Sequence, residues 1–263
     1  ISAGCFRSCE NLQQINFPDG LEKIGDQAFC SCDALKSITI PEGVREISDS
    51  SFAYCSNLQQ INLPEGLEKI GSGAFSGCKI LNIEIPDNIT QIGSAAFSEC
   101  GTLESITIPA GVKEISAGCF RSCENLQQIN LPEGLEKIGE KAFYACDALK
   151  SITIPKNVKE IGEECFAFSS NLQQINLPEG LESIGVYAFS CTRSLSEIII
   201  PASVKIIGYW AFNGWTSSQT IKCKATKAGD NWDKYWNYNY AYTASNATKI
   251  SANIIWGYQD NNT

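Results

Sequence analysis

Thirteen cysteines and several adjacent carboxylates are the residues of this 263-residue chain whose types could do chemistry. Thiols serve as nucleophiles or metal ligands, and carboxylate pairs can exchange protons. Each use needs companions. Cys5-x-x-x-Cys9 and Cys30-x-Cys32 have spacings that a zinc ion could bridge. No second C-x-x-C pair follows either, and the chain contains no His, so a tetrahedral sulfur and nitrogen set stays incomplete. The missing His also removes Ser–His and Cys–His nucleophile pairs. Glu163-Glu164 could in principle do acid–base work, but it reads more simply as a solvated outer face. The glycines mark turns inside a repeated unit and do not form a phosphate-cradling loop. The expectation is a protein that is not an enzyme, with no cofactor and no metal.

The elements that position these residues are repeats. Residues 1–16, ISAGCFRSCENLQQIN, return letter for letter at 115–130. All nine prolines keep one spacing: Pro18, Pro41, Pro64, Pro86, Pro109, Pro132, Pro155, Pro178 and Pro201 are 23 residues apart, except for the 22 between Pro64 and Pro86. The offset of 114 between the two copies is four coils of 23 plus one of 22, which reads as a tandem duplication of a five-coil block. Around each proline the text approximates L-x-x-I-x-[IL]-P-x-G-[VL]-x-x-I-G-x-x-x-F-x-x-C.

Ile38-Thr39-Ile40 alternates apolar and polar, as a short half-buried strand does. The following proline ends the ladder. Gly43 or its counterparts Asn88 and Asn157 then turn the chain. Val44 and Ile47 point a second short segment inward, and Ala-Phe fills the far side. One unit cannot bury so few apolar side chains alone, so neighbours must stack into a solenoid. The shortened coil loses a residue between Leu81 and Ile83 on this alignment, which predicts a strand irregularity there.

Seven cysteines occupy one place in successive coils: Cys9, Cys32, Cys55, Cys78, Cys100, Cys123 and Cys146, followed by Ser169, Thr192 and Trp215. A row that accepts Ser and Thr predicts a small, buried side chain, and free Cys behaves as a small hydrophobe. Inter-coil disulfides and a metal site are the alternatives. Cys5, Cys119 and Cys165 replace the Ala before Phe and are expected in the same packing. Cys30 shares its row with Arg7, Ala53, Ser76 and Tyr144 and is expected at the surface.

The L-x-x-I-x-I pattern, with Pro after the strand and the A-F-x-x-C half, resembles the treponemal type of leucine-rich repeat found in BspA-like surface proteins. The resemblance spans residues 1 to about 223, and Trp232, Trp236 and Ile255-Trp256-Gly257-Tyr258 are similar to the family's C-terminal segment. It implies a mostly β, α/β-type, right-handed leucine-rich repeat solenoid of parallel strands and 22–23-residue coils over 1–223, followed by an aromatic, Asn-rich cap over 224–263. It also implies display at the cell surface or outside the cell, with adhesion or protein binding as the role. The partner implied is a protein, such as host extracellular matrix or another microbial surface protein.

Net charge is −9, and without clustered Lys and Arg the chain is not expected to bind nucleic acid. No apolar run approaches the ~20 residues of a membrane-spanning helix. The chain has no Met and starts inside a repeat, so further coils or an N-terminal cap are expected before Ile1, and the signal and anchor are expected to lie outside this sequence. Charges alternate along two rows. One runs Glu22, Arg45, Glu68, Thr90, Lys113, Glu136, Lys159, Glu182, Lys205, and the next begins Lys23, Glu46, Lys69, Gln91, Glu114, Lys137, Glu160. In a parallel stack these are cross-strand neighbours, and opposite signs contribute a few tenths of a kcal/mol each.

Residues flanking the middle Ile of each strand point outward and form two amide- and hydroxyl-rich columns. Gln60, Asn62, Ser105, Thr107, Gln128, Asn130, Ser151, Thr153, Gln174 and Asn176 are the candidate binding residues on them; the plain alternative is a solvated ladder. In the tail, Trp232, Tyr235, Trp236 and Tyr238 could stack on sugar rings, or could cover the open end of the stack, which is the preferred reading. Asn246-Ala247-Thr248 fits a glycosylation sequon. Protein binding, carbohydrate binding and a passive spacer are the functions the sequence leaves open.

Overall fold

The computed structural model describes residues 1–18, 20–238 and 252–259; the sequon lies outside them. Each repeat makes one turn of a parallel solenoid, and residues 22 or 23 apart become neighbours: Ser37 pairs with Gln60, and Lys69 with Gln91 across the shortened coil. The described residues contain strands and turns but no helix.

Three sides make up a coil. The strand before each proline forms the first, with Ser37–Thr39, Gln60–Asn62, Ser105–Thr107, Gln128–Asn130, Ser151–Thr153, Gln174–Asn176 and Glu197–Ile200. The two-residue strands after it form the second, from Glu46–Ile47 to Ile206–Ile207. The third side carries Ala-Phe and is made of turns, not helix. Alternate amides instead reach the next coil: Gln27, Phe29 and Ser31 donate to the carbonyls of Asp49, Ser51 and Ala53 at 2.8–2.9 Å. The amides between them, Ala28, Cys30 and Cys32, donate three residues back. Residues on either side of Ala-Phe, or of Cys-Phe where Cys165 stands for Ala, hold left-handed φ, among them Gln27 and Ser31, Lys141 and Ala145, Glu164 and Phe168. A left-handed residue interrupts any helical run, so the chain leaves the i→i−4 pattern and stacks on its neighbour.

Phe6, Phe29, Phe52, Phe75, Phe97, Phe120, Phe143, Phe166, Phe189 and Phe212 stack down this side with centroids 5.1–5.8 Å apart. From Phe29 onward they are fully buried. Repeated leucines and isoleucines fill the rest of one continuous core. Against the last ring, Trp215 and Trp236 present their edges at 78° and 81°, which ends the stack with the favourable edge-to-face arrangement.

The cysteine row has a more specific job than filling space. Cys32, Cys55, Cys78, Cys100, Cys123 and Cys146 each donate their thiol to the carbonyl of the Phe one coil back, at 3.0–3.1 Å. Ser169 donates to Phe143 at 2.7 Å and the Trp215 indole to Phe189 at 3.1 Å. Thr192 departs from the pattern, donating to Phe189 of its own coil at 2.8 Å and accepting from the Trp215 indole at 3.0 Å; Cys, Ser and Trp share the role of donor to the preceding coil.

Three expectations need correction. Cys30 is only 9% exposed. In its row small side chains such as Ala53 and Ser76 are buried while Arg7 is exposed, so side-chain length decides exposure. Cys5 is exposed and Cys9 half-exposed in the first described coil, while Cys119 and Cys165 are fully buried. In the shortened coil, Ile80 takes the buried Leu position and Leu81 points outward at 47% exposure. The missing residue belongs to the turn before Ile80. The irregularity itself is present: residues 82–85 form only an isolated bridge, Asn82 with Ser105.

Candidate binding surface

The first side of the coil exposes all ten candidate strand-face residues, while the Ile between each flanking pair is inward. Side chains cross-link along the columns: Asn62 donates to Thr39 Oγ1 at 3.1 Å and Asn130 to Thr107 Oγ1 at 3.0 Å. The ladder is built in pairs. Each Ser-Ile-Thr strand pairs with the following Gln-Ile-Asn strand, and among the described residues no ladder joins Gln-Ile-Asn to the strand after it. The two-coil alternation of the sequence is thus also an alternation of pairing.

Two depressions lie where this ladder opens. The larger, about 830 Å³, centres on the shortened coil and is lined by Gln60, Asn62, Asn82, Glu84, Ser105 and Thr107 among others. The smaller, about 490 Å³, lies at Gln174, Asn176, Glu197 and Ile199. Its rim is neutralised internally, since Lys222 meets Glu197 at 2.8 Å and Lys224 meets Glu179 at 2.6 Å.

The charged rows are neighbours as expected. Glu46–Lys69, Glu114–Lys137 and Glu182–Lys205 form ion pairs at 2.8, 3.4 and 2.7 Å; exposed pairs of this kind contribute about 0.2–1 kcal/mol. Other cations act differently. Arg45, Lys113 and Lys159 donate to the carbonyls of Gly66, Gly134 and Gly180 in the next coil, at 2.9, 3.4 and 3.3 Å. Backbone hydrogen bonds place Glu136 between Lys113 and Lys159, yet no side-chain ion pair joins them among the described residues. Alternation along this row works partly through glycine carbonyls, a partner that the charge pattern does not reveal.

At the aromatic end, pairing continues past residue 223: Ile206–Ile207 pairs with Asn231–Trp232, and Thr220–Cys223 with Asn253–Trp256. Trp232 and Trp236 are 7% and 6% exposed and pack edge to face at 5.0 Å. The Trp232 indole donates to the Val204 carbonyl at 3.2 Å. These two rings face the core, so a sugar could stack on them only if the end of the solenoid opened. Tyr235 and Tyr238 are half-exposed, with centroids 5.0 Å apart at 88°. Sequence reasoning missed Tyr187, Tyr209 and Trp210, which join Tyr235 in one half-exposed cluster. Their appearance beside one another in the Tyr187 and Tyr209-Trp210 coils was the signal.

Burial pushes the Cys100 and Cys146 thiols up to about 12, and raises Cys119 and Cys165 further still. Neutral at physiological pH, they are poor nucleophiles, since attack requires the thiolate, and Cys100 and Cys146 donate hydrogen bonds instead. No group of three or more potential ligands that could hold a metal occurs among the described residues, nor is any helix long and apolar enough to cross a membrane.

The sequence model for a BspA type leucine rich repeat region (six copies) matches residues 1–104 and 90–220. No curated protein sequence matches the chain. Among solved structures, a leucine-rich repeat protein from Bacteroides ovatus is 26% identical with a TM-score of 0.51; the match covers 89% of this chain and 77% of that one. A leucine rich cell surface protein from Faecalibacterium prausnitzii is 31% identical with a TM-score of 0.54, over 78% of this chain and 64% of that one. The leucine rich repeat protein of T. pallidum is 30% identical with a TM-score of 0.48, over 68% and 74% of the two chains.

Proposed function

Because this chain belongs to the BspA type leucine-rich repeat family, we propose that it is a non-catalytic protein-binding module of the cell surface or the extracellular space, and that the strand face makes the contact. One observation carries this reading: the strand face is a repeated surface of outward Gln, Asn, Ser and Thr side chains, among them Gln60, Asn62, Ser105, Thr107, Gln128, Asn130, Ser151, Thr153, Gln174 and Asn176. Amides and hydroxyls donate and accept, so they suit a protein surface rich in backbone and polar groups. The surface-protein description of the Faecalibacterium relative supports the location, and host matrix or another microbial surface protein is the partner class. The test is capture of immobilised extracellular-matrix proteins by the whole chain and by its Ser105→Lys/Gln128→Lys variant. Capture should fall at least about tenfold, since an unmatched buried charge costs more than the 1.4 kcal/mol that tenfold represents. Unchanged capture would sink the strand-face reading.

The half-exposed cluster around Tyr235 and Tyr238 favours a second reading, carbohydrate binding through those tyrosines, because ring faces and hydroxyls together suit sugars. A glycan array on the Tyr235→Ala variant separates the two readings. Silence in both assays favours a passive spacer.

A further inference from the structure

We propose that the depression over the shortened coil is a docking site for an extended, basic segment of a protein partner. The proposal rests on the protein-binding reading and deepens it. Four observations converge on the site. First, the strand ladder is open here: Gln60–Asn62 pairs back to Ser37–Thr39, Ser105–Thr107 pairs forward to Gln128–Asn130, and the coil between them contributes a single bridge. An open ladder can take hydrogen bonds from an extended partner segment. Second, the opening of about 830 Å³ spans several coils, and coils about 5 Å apart accommodate several extended residues.

Third, the charge is one-sided. Glu65, Glu84 and Asp87 line the depression, and no Lys or Arg does. All three are exposed, and none forms an ion pair among the described residues. Arg45, on the preceding coil, donates to the Gly66 carbonyl at 2.9 Å. The smaller depression differs, because lysines meet its carboxylates. Fourth, the fold places like charges side by side. Glu42, Glu65 and Asp87 follow the prolines of three successive coils, and Glu84 is the one carboxylate in a column otherwise made of Asn, Thr and Ile. Neighbouring like charges repel, and nothing within the depression offsets them. A partner's Lys or Arg side chains would, while its backbone met the amides and hydroxyls of Asn62, Asn82 and Ser105.

The test uses the whole chain and a fluorescein-labelled peptide of alternating Lys and Thr, about eight residues long, with a Glu-Thr peptide as its counterpart. Fluorescence anisotropy should show binding of the Lys peptide, weakening as salt is raised, and none of the Glu peptide. Glu65→Gln/Glu84→Gln/Asp87→Asn should weaken Lys-peptide binding about tenfold or more. Glu99→Gln/Glu124→Gln/Glu163→Gln, equal in charge change and exposed elsewhere, should leave it within about twofold. Thermal melts of both variants confirm that they fold. Equal binding by the two triple variants, or no binding of the Lys peptide to the parent chain, overturns the proposal. Loss of matrix-protein capture in Ser105→Lys/Gln128→Lys alongside those results overturns the basic-segment proposal while leaving the strand-face reading standing. Capture that survives the two lysines removes the strand-face reading itself.

Discussion

Raising the pH should unfold this solenoid through its cysteines. Burial holds Cys32, Cys100, Cys146 and Cys223 at about 12, whereas an unfolded thiol titrates near 9. The folded-state values are raised, so the stabilisation is complete below about pH 9 and is lost as pH climbs toward 12. At pH 10 each of the four thiols favours the unfolded chain by about 1 kcal/mol, for a total on the order of 5 kcal/mol. A typical folded protein has about 5–15 kcal/mol in hand, so this loss suffices to bring the chain to, or close to, unfolding. The decisive variant is Cys100→Ser/Cys146→Ser. Serine already stands in this row at Ser169 and donates to the Phe143 carbonyl at 2.7 Å, so the double variant keeps the donor and removes the titration. Urea unfolding followed by tryptophan fluorescence at pH 8 and pH 10 reads the effect. The double variant should lose about 2 kcal/mol less than the parent across that interval. A parent equally stable at both values, or a double variant that falls as steeply, would refute the argument that buried neutral thiols set the alkaline limit.

Two further outcomes follow from inter-coil contacts. A Cβ at Gly162 would lie 2.4 Å from the Gly139 carbonyl carbon, whereas one at Gly101 would meet nothing within 4 Å; Gly162→Ala should cost about 1–3 kcal/mol in urea unfolding, and Gly101→Ala should be neutral or stabilising by up to about 1 kcal/mol. Trp236→Ala removes the edge that closes the phenylalanine stack and should cost about 3–5 kcal/mol. Hydrogen exchange should show the loss concentrated around Phe189 and Phe212, with the coil of Phe52 unaffected, because each coil contacts mainly its neighbours.

What the sequence alone determined was whatever repeats within a coil. Proline spacing gave the period, Ile-Thr-Ile gave the strand with its inward and outward sides, and the Phe row gave the core. Even the defect at the shortened coil was legible from one missing residue. Local pattern suffices there because strand, turn and inward face are set by residues close in sequence. The tertiary structure decided what depends on the fit between coils. It showed that Leu81 faces out and Ile80 in, because either could be aligned with the leucine position until the coils stacked. It buried Cys30 in a row where the longer Arg7 stays exposed, turned the cysteine row into donors for the preceding phenylalanine carbonyls, and sent Arg45, Lys113 and Lys159 to glycine carbonyls that a charge pattern cannot display. It turned Trp232 and Trp236 inward. The basic-segment proposal rests on the same class of fact: Glu65, Glu84 and Asp87 line one depression beside an open ladder only once the coils stack. Residues about 23 positions apart meet through side-chain length, rotamer and backbone register, and those quantities are fixed when coil packs on coil.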